Sequence, residues 1–77
     1  MIYGRWGDAV TVVRLATLKD VRTFDHRSPD AQDREMVRRG SYVILKREDG
    51  AEMLANVAFL RADGGAHEID AAIKATK

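Results

Sequence analysis

The chain has 77 residues, a formal net charge of +1 and no cysteine. Its length predicts a single domain over residues 1–77 with a thin hydrophobic core, and the lack of cysteine excludes disulfides. No stretch approaches the roughly 20 apolar residues of a membrane span, and residues 1–10 lack the apolar run of a signal peptide. We therefore expect a cytoplasmic protein without a membrane partner.

The first strand signal comes early in the chain. Residues 1–8 contain two glycines around Trp6, which predicts a loop or a short edge strand. Residues 9–15, AVTVVRL, are rich in β-branched side chains and predict a strand. Strict alternation would place Ala9, Thr11, Val13 and Leu15 on one face of this strand, and Val10 and Val12 on the other.

Residues 16–27 allow two interpretations. Thr17 and Asp20 have the spacing of a capping box, which begins a helix. Val21 and Phe24 would suit a strand as well as a helix. We favour the strand, because a small sheet needs further members to close, and leave the helix open.

A short helix is predicted over residues 29–39. Ser28 is a typical N-cap residue, and Pro29 suits the first helical position. Gly40 can adopt the left-handed conformation that closes a helix. The apolar face of this helix is thin, so we expect it to lie on the surface of the domain and to dock by two or three contacts.

The strongest signal is a hairpin within residues 41–62. Asp49-Gly50 separates two apolar runs and predicts a two-residue turn. That register places Arg47 opposite Glu52, a favourable cross-strand charge pair. Both faces are then mostly apolar, so other parts of the chain or a second copy must cover them. One face would carry Tyr42, Ile44, Met53, Ala55 and Val57, and the other Val43, Leu45, Leu54 and Asn56.

A C-terminal helix is predicted over residues 66–76, after a break at residues 63–65. Ile69 and Ile73 lie on one stripe of it. Together the elements predict an α+β fold that is mostly β. We expect a small curved antiparallel sheet or an SH3-like barrel, with a short inserted helix and the C-terminal helix.

The candidate functional residues fall in two groups, and neither forms a catalytic constellation. His26 and His67 lack companions for a metal site, so we expect no metal and no cofactor. Six arginines are typical of a partner or nucleic-acid surface: Arg22, Arg27, Arg34, Arg38, Arg39 and Arg47. Seven aromatic or aliphatic residues are candidates for a subunit interface: Trp6, Tyr42, Ile44, Met53, Val57, Ile69 and Ile73.

The run GSYVILKREDGAEMLANVAFLRADGG, residues 40–65, resembles a segment of small uncharacterised bacterial proteins, including some carried on mobile gene cassettes. The resemblance rests on hydrophobic patterning and turn residues, and it covers about a third of the chain. It implies a small β-rich domain without an assigned activity.

Three functions are consistent with these patterns. The leading hypothesis is a small, non-catalytic binding or interaction module that forms a homodimer or a higher homo-oligomer. The second is a nucleic-acid-associated regulator that uses the arginine-rich first half of the chain. The third is an oligomeric ligand-binding protein or enzyme with a pocket at a subunit interface.

Overall fold

In the computed structural model, which describes residues 1–76, five antiparallel strands form one sheet in the order β4-β3-β2-β1-β5. Within this part of the chain, three α-helices and a 3-10 turn connect or cover the strands. In chain order the elements are β1 (Ile2–Tyr3), β2 (Ala9–Leu15), α1 (Leu18–Asp25), α2 (Ala31–Arg38), β3 (Tyr42–Arg47), β4 (Glu52–Asn56), the 3-10 turn (Val57–Phe59), β5 (Arg61–Ala62) and α3 (Ala66–Lys74).

The sheet is strongly curved but is not closed into a barrel. In a flat sheet of five strands the two outer strands would lie about 19 Å apart, since neighbouring strands are about 4.8 Å apart. The chain passes from β4 to β5 through residues 57–60, which include the 3-10 turn. This passage spans only about 13 Å, given the rise of a 3-10 turn and of extended chain. The sheet must therefore curl, although its outer strands, β4 and β5, do not pair within residues 1–76.

Both faces of β3, an interior strand next to the edge strand β4, are covered by helices of the same chain. Val43 and Leu45 point to one face and join the main hydrophobic cluster, which includes Ile69 of α3. Ile44 points to the opposite face and is fully buried, as is Val21 of α1. The predicted need for cover on both faces of the hairpin is thus met within one chain.

A β-bulge in β2 decides which residues of that strand reach each face. The ladder to β3 shifts by one residue between Val12 and Arg14, so Val13 is an extra residue. The bulge turns Arg14 toward α1 and places Leu15 against the main cluster, on the side of Val12. The strict alternation predicted for β2, with Leu15 on the face opposite to Val10 and Val12, is therefore wrong.

The β3–β4 hairpin is confirmed, but its predicted two-residue loop is wrong. The loop comprises residues 48–50 and is closed by a 3.0 Å hydrogen bond from Gly50 N–H to Arg47 O. Asp49 Oδ1 accepts a second hydrogen bond, of 2.9 Å, from Ala51 N–H. Gly50 has a φ of +90°, which is typical of the last residue in a three-residue hairpin loop.

The longer loop shifts the register of the hairpin by one residue. Lys46, not Arg47, faces Glu52. Because side chains alternate along a strand, this shift exchanges the two faces of β4 relative to β3. One face carries Tyr42, Ile44, Leu54 and Asn56, and the other carries Val43, Leu45, Met53 and Ala55.

Residues 16–27 contain a helix, α1, so the strand favoured from the sequence is wrong. The capping-box alternative is the correct one, since Asp20 Oδ2 accepts a 2.7 Å hydrogen bond from Thr17 N–H. The sheet gains its further members from β1 and β5 instead, and the sequence patterns give no indication of β5.

The other two helices lie where the sequence predicts them, with different ends. α2 begins after Asp30, whose Oδ1 accepts a 2.8 Å hydrogen bond from Asp33 N–H, so Ser28 is not its N-cap. Gly40 follows α2 with a φ of +72°, which confirms that it closes this helix. α3 ends at Lys74, earlier than predicted.

The coarse fold class, a small α+β chain with an antiparallel sheet, is confirmed. The predicted SH3-like barrel is wrong, because the sheet is not closed within residues 1–76. Helices and strands contribute comparable numbers of residues, so the chain is not mostly β. None of the helices formed by residues 1–76 has the length and apolar character needed to cross a membrane.

The substitution Gly50→Ala is expected to lower the free energy of unfolding by about 1–2 kcal/mol, because left-handed backbone is that unfavourable for a residue with a Cβ atom. A steric clash would not contribute, since the added Cβ would have no heavy atom within 4 Å. Gly50→Asn is the control and should lose less, because Asn tolerates this conformation better. Urea titrations measure both losses, and equal losses would contradict the loop conformation.

Candidate functional site

Two of the arginines form ion pairs with buried carboxylates, and Arg14 is the first of them. Its guanidinium donates hydrogen bonds of 2.6 and 2.8 Å to Asp20. Asp20 is only 5% exposed and also accepts from the backbone N–H and the hydroxyl of Thr17. The hydrogen bonds from Arg14 are the main reason why the pKa of Asp20 is lowered to about 2. This ion pair ties β2 to the start of α1.

A second buried carboxylate, Asp33, holds Arg27 in the same way. Both terminal nitrogens of Arg27 donate to Asp33, one of them at 2.9 Å. Asp33 also accepts from Asp30 N–H at 2.9 Å and from the Tyr42 hydroxyl at 3.1 Å. The guanidinium of Arg27 holds the pKa of Asp33 well below its usual range, with these other donors adding to the effect. The ion pair joins α2 to the preceding loop, and the hydrogen bond from Tyr42 joins it to β3.

Both ion pairs follow the same sequence pattern. In RLATLKD (14–20) and RSPDAQD (27–33), an arginine precedes the buried aspartate by six residues. The residue three positions before the aspartate, Thr17 or Asp30, is the N-cap of the helix. Each aspartate therefore completes a capping box and binds an arginine at once. The sequence analysis missed this repeat, and the spacing R-x-x-[T/D]-x-x-D is the signal that would have revealed it.

Only some of the six candidate arginines of the partner or nucleic-acid surface form ion pairs. Three of them contact carboxylates: Arg27, Arg38 and Arg47. The other three are exposed and form no ion pair within residues 1–76: Arg22, Arg34 and Arg39. A carboxylate neighbour competes with phosphate for the guanidinium, so fewer positive charges are available than the sequence implies. A nucleic-acid surface stays a prediction.

The seven candidate interface residues lie in different environments. Ile44 and Ile69 are buried in the chain's own core, where a partner does not reach them. Trp6, by contrast, is 83% exposed. The remaining four are half-buried: Tyr42, Met53, Val57 and Ile73. Of the seven, the fold brings three together in one surface groove: Trp6, Tyr42 and Met53.

This groove, named here the β4 groove, has a volume of about 350 Å³. Leu54 and Asn56 line it from one face of β4, and Met53 and Ala55 line it from the other. It therefore follows the outer edge of the strand and not a single face. The rest of its lining comes from the β1–β2 turn, the end of α1, β3 and the 3-10 segment: Arg5, Trp6, Asp25, Tyr42, Leu45, Phe59 and Leu60.

The outer edge of β4 carries backbone groups that the sheet does not use. Within residues 1–76, β4 pairs only with β3. Ala51 O accepts from Arg47 N–H at 2.8 Å, and Val57 N–H donates to Ser41 O at 2.9 Å. The N–H and C=O groups of the odd-numbered residues of β4 therefore point toward β3. Since an antiparallel ladder alternates, the N–H and C=O groups of the even-numbered residues point outward: Glu52, Leu54 and Asn56.

Arg5 stacks on two exposed aromatic rings at the rim of the β4 groove. Its guanidinium carbon lies 4.8 Å from the centre of the Phe59 ring and 5.5 Å from that of Trp6. Such cation–π contacts hold the three side chains together, although Phe59 is 49% and Trp6 83% exposed. Stacking leaves the N–H groups at the edge of the guanidinium free to donate. This aromatic–arginine cluster, Arg5 with Trp6 and Phe59, is the largest exposed apolar feature beside the groove.

Within residues 1–76, no group of three or more His, Asp or Glu side chains is placed to hold a metal ion.

Comparisons with protein families, with curated proteins and with solved structures find no match to this chain. The gene-cassette resemblance of residues 40–65 therefore stays a prediction, and the β4 groove is interpreted from its own geometry.

Acid should destabilise the fold through Asp20. Its pKa is about 2 in the folded chain and about 3.9 in an unfolded one. Ionised Asp20 therefore stabilises the fold fully above about pH 4, and this contribution disappears as the pH falls toward the folded-state pKa. At neutral pH, Asp20→Asn should lower the free energy of unfolding by about 2 kcal/mol, because hydrogen bonds to charged groups contribute about 1.5–3 kcal/mol.

Urea titrations of the wild type and of Asp20→Asn, carried out at several pH values, measure this effect. The difference in free energy of unfolding between the two proteins should shrink as the pH is lowered below about 4, where Asp20 of the wild type becomes protonated in the unfolded chain and its charge stabilises the fold less. Asp70→Asn, at an exposed position of α3, is the control. Its free energy of unfolding should depend on pH as that of the wild type does. A difference that does not depend on pH would contradict the role of the Asp20 charge.

Proposed function

We propose that this chain is a small, non-catalytic interaction module that binds an extended polypeptide strand along the outer edge of β4. The observation that carries the proposal is the row of outward-facing backbone groups of Glu52, Leu54 and Asn56 beside the β4 groove. An extended strand is the partner whose own backbone donors and acceptors match such a row, and strand addition to a sheet edge is a recurring mode of peptide recognition.

The composition of β4 supports this use of the edge. Sheet edges that stay free of partners usually carry lysine, proline, a bulge or an inward-pointing charge. The sequence of β4, EMLAN, has one charged residue, at its first position, and neither lysine nor proline. Its pairing with β3 is regular, without a bulge. The strand is therefore suited to accept another strand.

The aromatic–arginine cluster supplies side-chain contacts for the partner. Tryptophan and arginine are the residue types most often found at the energetic centre of protein interfaces. Trp6 and Phe59 offer apolar surface at the rim of the groove, and Arg5 has donors free for a carboxylate. We expect the bound strand to place an apolar side chain against the rings and an acidic group near Arg5.

The sheet is open between its outer strands, β4 and β5, which do not pair within residues 1–76. The β4 groove lies at this opening, since its lining includes β4 and the 3-10 segment that leads to β5. Binding of a strand there would extend the sheet without unfolding any part of it. We also propose that the protein is located in the cytoplasm.

The role of the strand edge can be tested with a random library of ten-residue peptides, selected for binding to the purified chain. Leu54→Pro removes one N–H group, which points away from β3, so no hydrogen bond to β3 is lost. Proline is tolerated at such positions of an edge strand. We expect the selected peptides to bind this variant at least tenfold more weakly than the wild type.

Leu54→Val is the matched control, since it keeps the N–H group and an apolar side chain, and it should bind like the wild type. Circular dichroism and thermal unfolding of both variants establish that they are folded. Failure of the monomeric chain to select any binding peptide from the library, or equal binding by Leu54→Pro, would contradict strand recognition at β4.

A separate prediction concerns the aromatic–arginine cluster. Trp6→Ala should weaken binding of the selected peptides by at least tenfold, about 1.4 kcal/mol, because tryptophan anchors contribute strongly at interfaces. The free energy of unfolding should not change, since Trp6 is 83% exposed. Thr11→Ala, at an exposed position of β2, is the control. Unchanged affinity in Trp6→Ala would exclude the cluster from the binding surface.

A further inference from the structure

We infer that the strand received by β4 is β4 of a second copy of this chain, paired antiparallel about a two-fold axis at Leu54. The inference rests on the proposed function, because it names the partner for the same edge. It also gives a geometry to the homodimer expected from the sequence. Unlike that expectation, it does not use the faces of the hairpin, which α1 and α3 already cover.

The positions of the outward-facing groups select the register. Only Glu52, Leu54 and Asn56 present their backbone groups outward, so only these residues can form hydrogen-bonded pairs across the new interface. With the axis at Leu54, this residue faces the partner's Leu54, and Glu52 faces the partner's Asn56. All three outward-facing residues of each copy are then paired, each pair exchanging two hydrogen bonds. A shift in either direction would leave an outward-facing residue without a partner on β4.

The side chains that meet in this register are compatible. Asn56 Oδ1 accepts a 2.9 Å hydrogen bond from its own Ala58 N–H, so its side-chain NH₂ group is free to donate. The facing residue, Glu52 of the second copy, has a carboxylate that accepts hydrogen bonds. No like charges face each other, and the two leucines make an apolar contact at the axis. The edge is therefore complementary to itself, as a two-fold interface requires.

The second face of β4 is also consistent with the same register. Met53 would face the partner's Ala55, which places a long side chain opposite a short one on both sides of the axis. Both residues line the β4 groove in the free chain. Each copy would thus bring its Met53 and Ala55 beside the groove of the other, so that the second copy completes the lining of the site.

Cysteine cross-linking tests the register directly, because the chain has no cysteine of its own. Position 53 of one copy and position 55 of the other would form a non-hydrogen-bonded pair with Cα atoms about 4.5 Å apart, within the range of disulfides. We expect a ¹⁵N-labelled Met53→Cys chain and an unlabelled Ala55→Cys chain to form a mixed disulfide under mild oxidation, detected by intact mass.

The same experiment contains its control. Two copies of position 53 would lie about 8 Å apart, since they are offset by two residues along the strands, and this exceeds the reach of a disulfide. Met53→Cys alone should therefore cross-link at least tenfold more slowly than the mixture. Circular dichroism shows whether each cysteine variant is folded, and light scattering of the wild type at micromolar concentration gives its oligomeric state without any substitution.

The outcomes separate this inference from the proposed function. A wild-type dimer together with the mixed disulfide supports the inference. A wild-type dimer in which Met53→Cys alone cross-links as fast as the mixture overturns the Leu54 register. A wild-type monomer that still binds library peptides along β4 overturns self-pairing and leaves strand recognition in place. A monomer that binds no peptide overturns both.

Discussion

Three consecutive residues of β3, Val43, Ile44 and Leu45, are almost completely buried, and most of the architecture follows from this. Consecutive strand residues point to opposite faces, so the sheet needs a covering layer on each side. The chain uses α3 for one face and α1 for the other. Within residues 1–76 the outer edge of β4 has no further strand paired with it.

The bulge in β2 and the two arginine–aspartate pairs attach the helices on the second face. Without an extra residue at Val13, Arg14 would point into the main cluster and could not reach Asp20. Asp20 and Asp33 each satisfy backbone N–H groups at the start of a helix and neutralise an arginine. Burying a carboxylate is unfavourable unless it is paired and hydrogen-bonded, and both conditions are met here. The same pairs reduce the positive charge that is open to phosphate.

The surface that we propose for a partner is an edge of the sheet and not a face. Affinity at a strand edge comes mainly from backbone hydrogen bonds, which any extended chain can make, and selectivity comes from the side chains that flank the edge. Here the flanking groups include the aromatic–arginine cluster and Asp25 at the end of α1, which all line the β4 groove. The short, regular and mostly apolar β4 fits this role, and its own sequence is compatible with self-pairing.

The sequence alone determined the local features: the β3–β4 hairpin at Asp49-Gly50, the helices near residues 29–39 and 66–76, and the apolar character of both hairpin faces. It did not determine the hairpin register, because Asp49 and Gly50 suit both a two-residue and a three-residue loop, and tertiary packing chooses between them. It also left residues 16–27 ambiguous, since the helix is selected by the second face of β3 and by Arg14, which lies outside that segment. The open edge of β4 depends on the order of all five strands, a non-local property that no local pattern encodes, so only the tertiary structure decided where a partner would bind.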